Sequence, residues 1–327
     1  MMQVVEDVGF DFLAKIKRGI GTFKSNGVYW CVSKYIKFDP FIADTYPSTL
    51  VPPYVDQEKL LIVRGGIGDL LALSVLCEVA PEVVVITSKN LFHVLDWWEV
   101  PPTKKHFNEP LFTVRFPKKV EDYCQEYGQQ TGDHVIAQGS RENWYEIIAK
   151  SVNRPFLGGK PRLKKALKGV NRLKKGSVLV VHKATSVNRS AQLTAIYQAL
   201  DPKYEFYFYD DERRLNGNGE KTTIHQYLAD LYFADFVVSV DTSAIHFREG
   251  IGKPALGLYT SFSAESRTKY YTATQSIDIP SPCPFQPCFY NKRDCTNRVP
   301  EAKYVPCLSM DNPEFINTVA TKIKEMI

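Results

Sequence analysis

The chain has 327 residues, of which 44% are hydrophobic and 24% charged, with a formal net charge of +5. This is the composition of a globular protein large enough for two domains, and the mild charge does not by itself imply a nucleic-acid partner. No apolar run approaches the roughly 20 residues that cross a bilayer. Glu6 and Asp11 fall where a secretory signal would be basic and then apolar, so a cytoplasmic chain is expected. The isolated Cys31, Cys77 and Cys124 suit a reducing compartment.

Residues 1–56 read as an N-terminal extension. Within it Phe10, Leu13, Ile16 and Ile20 share one helical face, with Lys15, Lys17 and Arg18 mostly off it. That pattern suits a short helix packed on its own domain, or one lying on a membrane surface. From Lys59 strand and helix alternate. Leu60–Val63 is an apolar strand, Arg64–Asp69 a glycine-rich turn, Leu70 onward a helix, and 82–87 the next strand. Helices over 91–98, 120–127 and 142–152 and extended runs over 111–116 and 134–137 are expected to complete a Rossmann-like domain spanning 57–155.

Segment 156–176 reads as a linker. Residues 151–176 hold Arg154, Lys160, Arg162, Lys164, Lys165, Lys168, Arg172, Lys174 and Lys175 and no acid, so the rest of the chain is net −4 (5 − 9). It is either a solvated basic connection or, over 154–175, a basic lip for a polyanionic acceptor, nucleic acid included. The alternation then restarts over 177–311. Strands are expected at 177–182, 204–209, 236–240 and 254–259, and helices at 190–200, 224–232 and from Ala244. The expected fold is α/β, with two Rossmann-like domains facing across a cleft and ligands at the carboxyl ends of the strands. Residues 281–307 carry Cys283, Cys288, Cys295 and Cys307, spaced C-x4-C-x6-C-x11-C. The spacing matches no common zinc ribbon. A compact loop of free or paired thiols is expected, with a zinc or iron–sulfur site on these four as the alternative. Residues 312–327 have the spacing of a closing amphipathic helix.

Two stretches carry chemistry. In Ala234–Tyr259 a buried strand breaks at Asp241-Thr242-Ser243 and resumes as a helix through His246. A helix start there presents unpaired backbone N–H groups and a positive dipole end, a ready site for a diphosphate. Asp241 or Thr242 acting as a plain N-cap fits the same residues, and His246 also fits a buried structural histidine. The second stretch is Gly65-Gly66-Ile67-Gly68-Asp69. It lacks the Gly-Lys-Ser/Thr of a Walker A loop and the GxGxxG of a dinucleotide fingerprint, and Thr87-Ser88-Lys89 offers no acid for a ribose. These absences disfavour a nicotinamide-dependent oxidoreductase. Asp69 places a carboxylate in the first turn of a helix, as a dipole partner or as a general base for a hydroxyl. Transfer from a nucleotide sugar needs such a base together with positive charge on the departing diphosphate. Asp210-Asp211-Glu212 is the nearest approach to a metal-binding DxD and is not one. The helix start, His246 and a cation from Lys183 or Arg189 would supply that charge without a metal.

Strand–GGIGD–helix, then HKATSVNR, then VVSVDTSAIHFREGIGKPALGLY, in that order over about residues 58–327, resemble glycosyltransferase family 9, the ADP-heptose:lipopolysaccharide heptosyltransferases. The resemblance implies a GT-B fold and a metal-independent, inverting transfer whose donor is a nucleotide-diphosphate sugar, with no cofactor required. It implies Asp69 as the catalytic base and places Gly66 and Gly68 in the loop beside the donor. Asp241, Thr242, Ser243 and His246 would hold the diphosphate. Thr185 and Ser186 would contact the donor phosphates, Lys183 or Arg189 would supply the cation, and Glu212 would bind the ribose. The chain departs from the family at Ser243, often glycine there, and at Thr260-Ser261-Phe262, where a Gly-Pro turn is usual. The implied acceptor is a surface glycan or lipopolysaccharide-type sugar, with a modified nucleic-acid base as another class, and peripheral contact with the inner face of the membrane is compatible. A non-catalytic protein that binds nucleotide sugars or polyanions on the same fold is the alternative from another class.

Overall fold

The computed structural model describes residues 22–25, 28–32, 60–63, 66–87, 91–106, 143–151, 156–165, 170–184, 187–281, 283, 286–287, 295 and 304–327. The chain divides into two compact units, Met1–Gly158 and Gly159–Ile327.

The first unit carries a five-stranded sheet in the order β1 (Thr22–Ser25), β2 (Val28–Val32), β3 (Leu60–Val63), β4 (Val83–Thr87), β5 (Thr103–His106). β1 and β2 are antiparallel with Ser25 opposite Val28, and every later pair is parallel. The sheet therefore begins inside the segment read from sequence as an extension. Its signal is local: two short β-type runs flank Asn26-Gly27, the dipeptide suited to a two-residue hairpin turn. The helices are α1 (Ile67–Ala72), α2 (Phe92–Asp96) and α3 (Trp144–Ser151). Where the sequence suggested one continuous helix after the glycine turn, the chain tightens after α1 into a 3-10 stretch, Leu73–Glu82. Leu70, Leu71, Leu76, Val94, Leu95 and Trp98 are buried, and the Trp98 indole N–H donates to the Leu70 carbonyl at 2.8 Å. The elements expected at 111–116, 120–127 and 134–137 and the amphipathic helix of residues 10–20 lie outside the described residues.

The second unit runs β6 (Ser177–Val181), α4 (Leu193–Ala199), β7 (Glu205–Phe208), α5 (Ile224–Phe233), β8 (Phe236–Val240), α6 (Ser243–Gly250), β9 (Ala255–Tyr259), α7 (Ala264–Thr268), β10 (Thr274–Asp278) and α8 (Pro313–Met326). Its sheet has the order β10-β9-β8-β6-β7, with every pair parallel. All residues of β6, β8 and β9 are buried, which is why they read as unbroken apolar runs rather than alternating ones. Val178, Val180, Phe236, Val238, Leu256 and Leu258 pack with Ile196 of α4 and Phe315, Val319 and Ile323 of α8 in one core.

β7 is an edge strand, and its open side is partly covered. Asn216 donates its backbone N–H to Phe208 O at 2.6 Å and accepts from Phe208 N on its side-chain oxygen at 2.9 Å. Asn216 has φ 55, a left-handed conformation that asparagine tolerates better than most residues. Capping the edge in this way blocks pairing with another strand.

The segment read as a linker packs on the second unit from Gly159 onward. A Cβ at Gly159 would lie 2.1 Å from Tyr270 Cβ, and one at Gly250 would lie 2.5 Å from Leu163 Cδ1, so close approach fixes glycine at both positions. Arg172 is paired with buried Asp230, and Lys174 with Glu205. Part of the basic run is thus used to tie the segment to α5 and β7. Among the described residues, no helix is long and apolar enough to cross a membrane.

Candidate functional site

The strand order of the second unit locates a crevice. From β6 the chain moves outward to β7, then returns past β6 to β8. Connections therefore leave β6 and β8 in opposite directions, and a parallel sheet opens at the carboxyl ends of such a strand pair. Val181 pairs with Ser239, so Lys183 and Asp241 leave the sheet at the same level.

Asp241 is 5% exposed and leads into α6. Thr242 is the N-cap. Its hydroxyl oxygen accepts from Ala244 N at 3.2 Å and lies 2.7 Å from the Ser239 hydroxyl, which itself donates to Val240 O at 2.7 Å. Thr242 thus has the capping role, and its side chain is committed to it. The remaining amides of the first turn stay at the helix end for a ligand. Ser243 is half-buried, and its hydroxyl is 3.4 Å from the Tyr227 hydroxyl of α5. Burial pushes the Tyr227 phenol pKa up, so it is a neutral hydrogen-bonding group at this helix start.

The two candidate cations go to different places. Arg189, at the end of a short 3-10 turn, donates from Nη1 to Asp241 O at 3.1 Å and to Asp241 Oδ2 at 3.3 Å. Lys183 pairs with Asp211. Arg189 thus meets the 241–243 turn directly. The Ser261 hydroxyl donates to Asn188 O at 2.8 Å, tying the chain after β9 to the turn that carries Arg189. Thr185 and Ser186 lie outside the described residues.

His246 is 2% exposed, and its Nδ1 is 2.6 Å from the Tyr271 hydroxyl. Burial pulls its pKa down to about 4; Asp241 opposes this, while Arg267 and Arg189 add to it. The ring is neutral at physiological pH, so it adds a hydrogen-bonding group and not the positive charge expected of it. The next two residues of α6 are structural. Arg248 is fully buried against backbone carbonyls, and Glu249 accepts from the backbone N–H groups of Thr272, Ala273 and Thr274, each at 2.9 Å.

The acids after β7 separate rather than converge. Asp210 accepts from the N–H groups of Glu212 and Arg214, Asp211 pairs with Lys183, and Glu212 pairs with Arg214 at 2.5 Å in an exposed position. The structure thus does not gather Glu212 with Asp241–His246 by any direct contact. Among the described residues, no three His, Cys, Asp or Glu side chains form a group able to hold a metal. Cys283, Cys295 and Cys307 are half-buried, and Cys288 lies outside the described residues.

In the first unit, Gly66 is the N-cap of α1 and makes no side-chain cap. Its φ of −105 is open to any residue, so conformation alone does not require glycine there. Gly68 is half-buried, and Asp69 sits in the first helical turn at 9% exposure. Sequence reasoning missed Tyr227, Tyr271 and Arg267. Arg267 is buried in α7, 3.9 Å from the Phe262 ring centre, and its charge reaches His246.

A second buried histidine, His182, follows β6 at 5% exposure, with its ring edge-on to Phe208. Burial first, and then the charge of Lys183, pull its pKa down to about 4. Unfolded, both histidines titrate near 6.5. Between pH 6.5 and 4 the unfolded chain therefore binds more protons. Stability is complete above that window and is lost as pH falls through it, by about 3 kcal/mol per histidine. Urea unfolding at pH 7 and pH 4.5 should show this loss, and His182→Gln should shrink it. An identical pH dependence in the variant would contradict the account.

No family model matches the chain, and no curated protein matches it in sequence. Solved structures do match. TibC from enterotoxigenic E. coli H10407, described as a bacterial iron-containing dodecameric glycosyltransferase, aligns with TM-score 0.53 at 11% identity over 81% of this chain and 76% of that one. A structure of the heptosyltransferase TibC with ADP-D-beta-D-heptose aligns with TM-score 0.52 at 11% identity and the same coverage. At that identity the likeness is one of fold. The chain is an α/β protein with one all-parallel five-stranded sheet and one that is parallel except for its β1/β2 pair, and it shares its fold with these glycosyltransferases.

Proposed function

We propose that the chain is a glycosyltransferase of GT-B architecture that moves a sugar, with inversion and without a metal, from a nucleotide-diphosphate donor to an acceptor hydroxyl. The observation that carries the reading is the α6 start at the β6/β8 crossover, with Arg189 fastened to it. It combines unpaired amides, a dipole end and a guanidinium, the set that stabilises a departing diphosphate. In the proposed reaction Asp69 takes the proton of the acceptor hydroxyl, and the oxygen attacks the anomeric carbon. The bond to the diphosphate breaks, and the nucleoside diphosphate leaves against α6 and Arg189. Tyr227, Ser243 and neutral His246 add uncharged hydrogen bonds, and Glu212 remains the proposed ribose partner.

ADP-heptose, bound by TibC, is the first donor to test. The proposed acceptor is a surface glycan or lipopolysaccharide-type sugar, with a modified nucleic-acid base as the other class. The proposed location is the cytoplasm or the inner face of the membrane. The burial of Asp69 favours a second reading, a protein that binds nucleotide sugars or polyanions without turning them over. A thermal-shift panel of ADP-, UDP- and GDP-sugars, with NAD and NADP as controls, tests both. One nucleotide sugar at about 100 times its Kd should raise Tm by about 5 °C. A panel with no shift would remove the transferase reading and nucleotide-sugar binding with it, and a shift with NAD or NADP alone would point to a different enzyme class.

A further inference from the structure

The turn that follows β9 is anchored at both ends. Tyr259 O accepts from Ile279 N at 2.8 Å, and Ala264 N donates to Asp278 Oδ1 at 2.8 Å. Between them Thr260, Ser261 and Phe262 are buried, with the Phe262 ring against Arg267. The 187–189 turn after β6 is only half-buried. β6 and β9 are the two neighbours of β8 in an all-parallel sheet, so these turns flank the carboxyl end of β8, where the chain breaks at Asp241 and Thr242 and enters α6. The Ser261 hydroxyl spans the two turns, donating to Asn188 O at 2.8 Å. Asn188 immediately precedes Arg189, whose Nη1 donates to Asp241 O at 3.1 Å and to Asp241 Oδ2 at 3.3 Å.

We infer that Ser261 is a positioning residue that fixes the 187–189 turn, so that Arg189 stands against the α6 start before a nucleotide arrives. A carbonyl oxygen can only accept, so the hydroxyl is the donor and the tie acts on the backbone of the turn. An arginine side chain loses much rotamer freedom when it is held in one geometry. Fixing the backbone at its base moves part of that ordering cost from binding to folding, and more of the attraction between guanidinium and diphosphate then appears as affinity. Other ties hold the residues after Arg189: the Ser190 hydroxyl accepts from Ala184 N at 3.2 Å, and Ala191 N donates to His182 O at 2.8 Å. The Ser261 bond acts on the residue before it, so Arg189 is bracketed. In the family that the sequence resembles, a Gly-Pro turn is usual at 260–262, and neither glycine nor proline has a side-chain donor. The tie therefore comes with this chain's departure from that turn. The inference rests on the reading of the α6 start and Arg189 as the diphosphate site.

Two measurements on the full-length protein test it. The first needs no ligand: 15N relaxation of the Arg189 Nε–H group, assigned by loss of its signal in Arg189→Gln, with exposed Arg213 as the reference. Arg189 should be the more ordered of the two in wild type, and Ser261→Ala should bring it close to Arg213. A wild-type Arg189 as mobile as Arg213 overturns the inference, as does an order parameter that Ser261→Ala leaves unchanged. The second is a calorimetric double-mutant cycle with ADP, UDP or GDP, whichever the protein binds. Ser261→Ala should weaken binding about fivefold when Arg189 is present, the effect of one neutral hydrogen bond. In Arg189→Gln the same change should cost less than about twofold, because its route to the nucleotide is gone. Equal losses in both backgrounds would show that Ser261 does not act through Arg189 and would overturn the inference. If Ser261→Ala does not fold, Ser261→Cys, close in shape and a far weaker donor, takes its place in both measurements. If no nucleotide binds, the transferase reading fails by itself, and the relaxation measurement still decides the role of Ser261.

Discussion

Asp69→Asn is expected to lower sugar transfer by about 10²–10⁴-fold while donor affinity changes by less than about threefold. The expectation comes from where the carboxylate sits. Gly66 caps α1 without a side chain, and Asp69 lies in the first turn beyond it, so the acid is not spent as the N-cap. Asparagine keeps the shape and removes the proton acceptor, so a loss confined to turnover identifies a base. If the variant transfers sugar at the wild-type rate, the base lies elsewhere. If wild type binds a nucleotide sugar and neither hydrolyses nor transfers it, the binding-only reading stands.

Arg248→Met is expected to cost on the order of 3–5 kcal/mol of folding stability, the largest loss from a single side chain on α6. The guanidinium donates to Leu231 O and Ala234 O at 2.8 Å, to Asp235 O at 3.2 Å, and to Pro254 O at 3.1 Å from Nε and 2.6 Å from Nη2. Two of these carbonyls lie at the C-terminal end of α5, where a helix leaves acceptors unpaired. Burial pulls the arginine pKa down to about 9, with Asp235 opposing, so it remains a cation at neutral pH. Methionine fills the volume and takes this donor from four carbonyls, of which those of Leu231 and Ala234 are bonded in a buried setting and those of Asp235 and Pro254 in a part-buried one. Arg248→Lys should recover only part of the loss, because an ammonium cannot reproduce the planar fork. Urea unfolding measures both variants, and a loss below about 1 kcal/mol for methionine would contradict this account. The arginine also matters for the site. Together with Glu249 it fixes the roll of α6, and hence where Thr242 and Ser243 stand at the β6/β8 crossover.

What could be read from sequence divides along locality. β6, β8 and β9 were legible because buried parallel strands are continuous apolar runs, and the α6 start because a polar turn after such a run is a local signal. The β1/β2 pair also has a local signal, Asn26-Gly27 between two β-type runs, but it stands in a segment with no helix–strand alternation. α7 and β10 were not legible: one is five residues long, and the other is an edge strand with mixed exposure. The chemistry of the site depended on contacts far apart in the chain. The contact of Arg189 with Asp241 spans 52 residues and has no local signal. The neutrality of His246 required its burial, and its contact with Tyr271 spans 25 residues. The alternative of a buried histidine fits the 2% exposure of His246.

The central claim is that the carboxyl ends of β6 and β8 bind a nucleoside diphosphate through the α6 start and Arg189. Calorimetric titration of ADP, UDP and GDP into wild type, Arg189→Gln and Lys183→Gln tests it most directly. The account predicts binding of at least one nucleotide to wild type. It predicts an affinity loss of about tenfold or more in Arg189→Gln, from a lost charge-assisted contact worth about 1.5–3 kcal/mol, and a smaller loss in Lys183→Gln. No binding by wild type, or Lys183→Gln losing more affinity than Arg189→Gln, would contradict it.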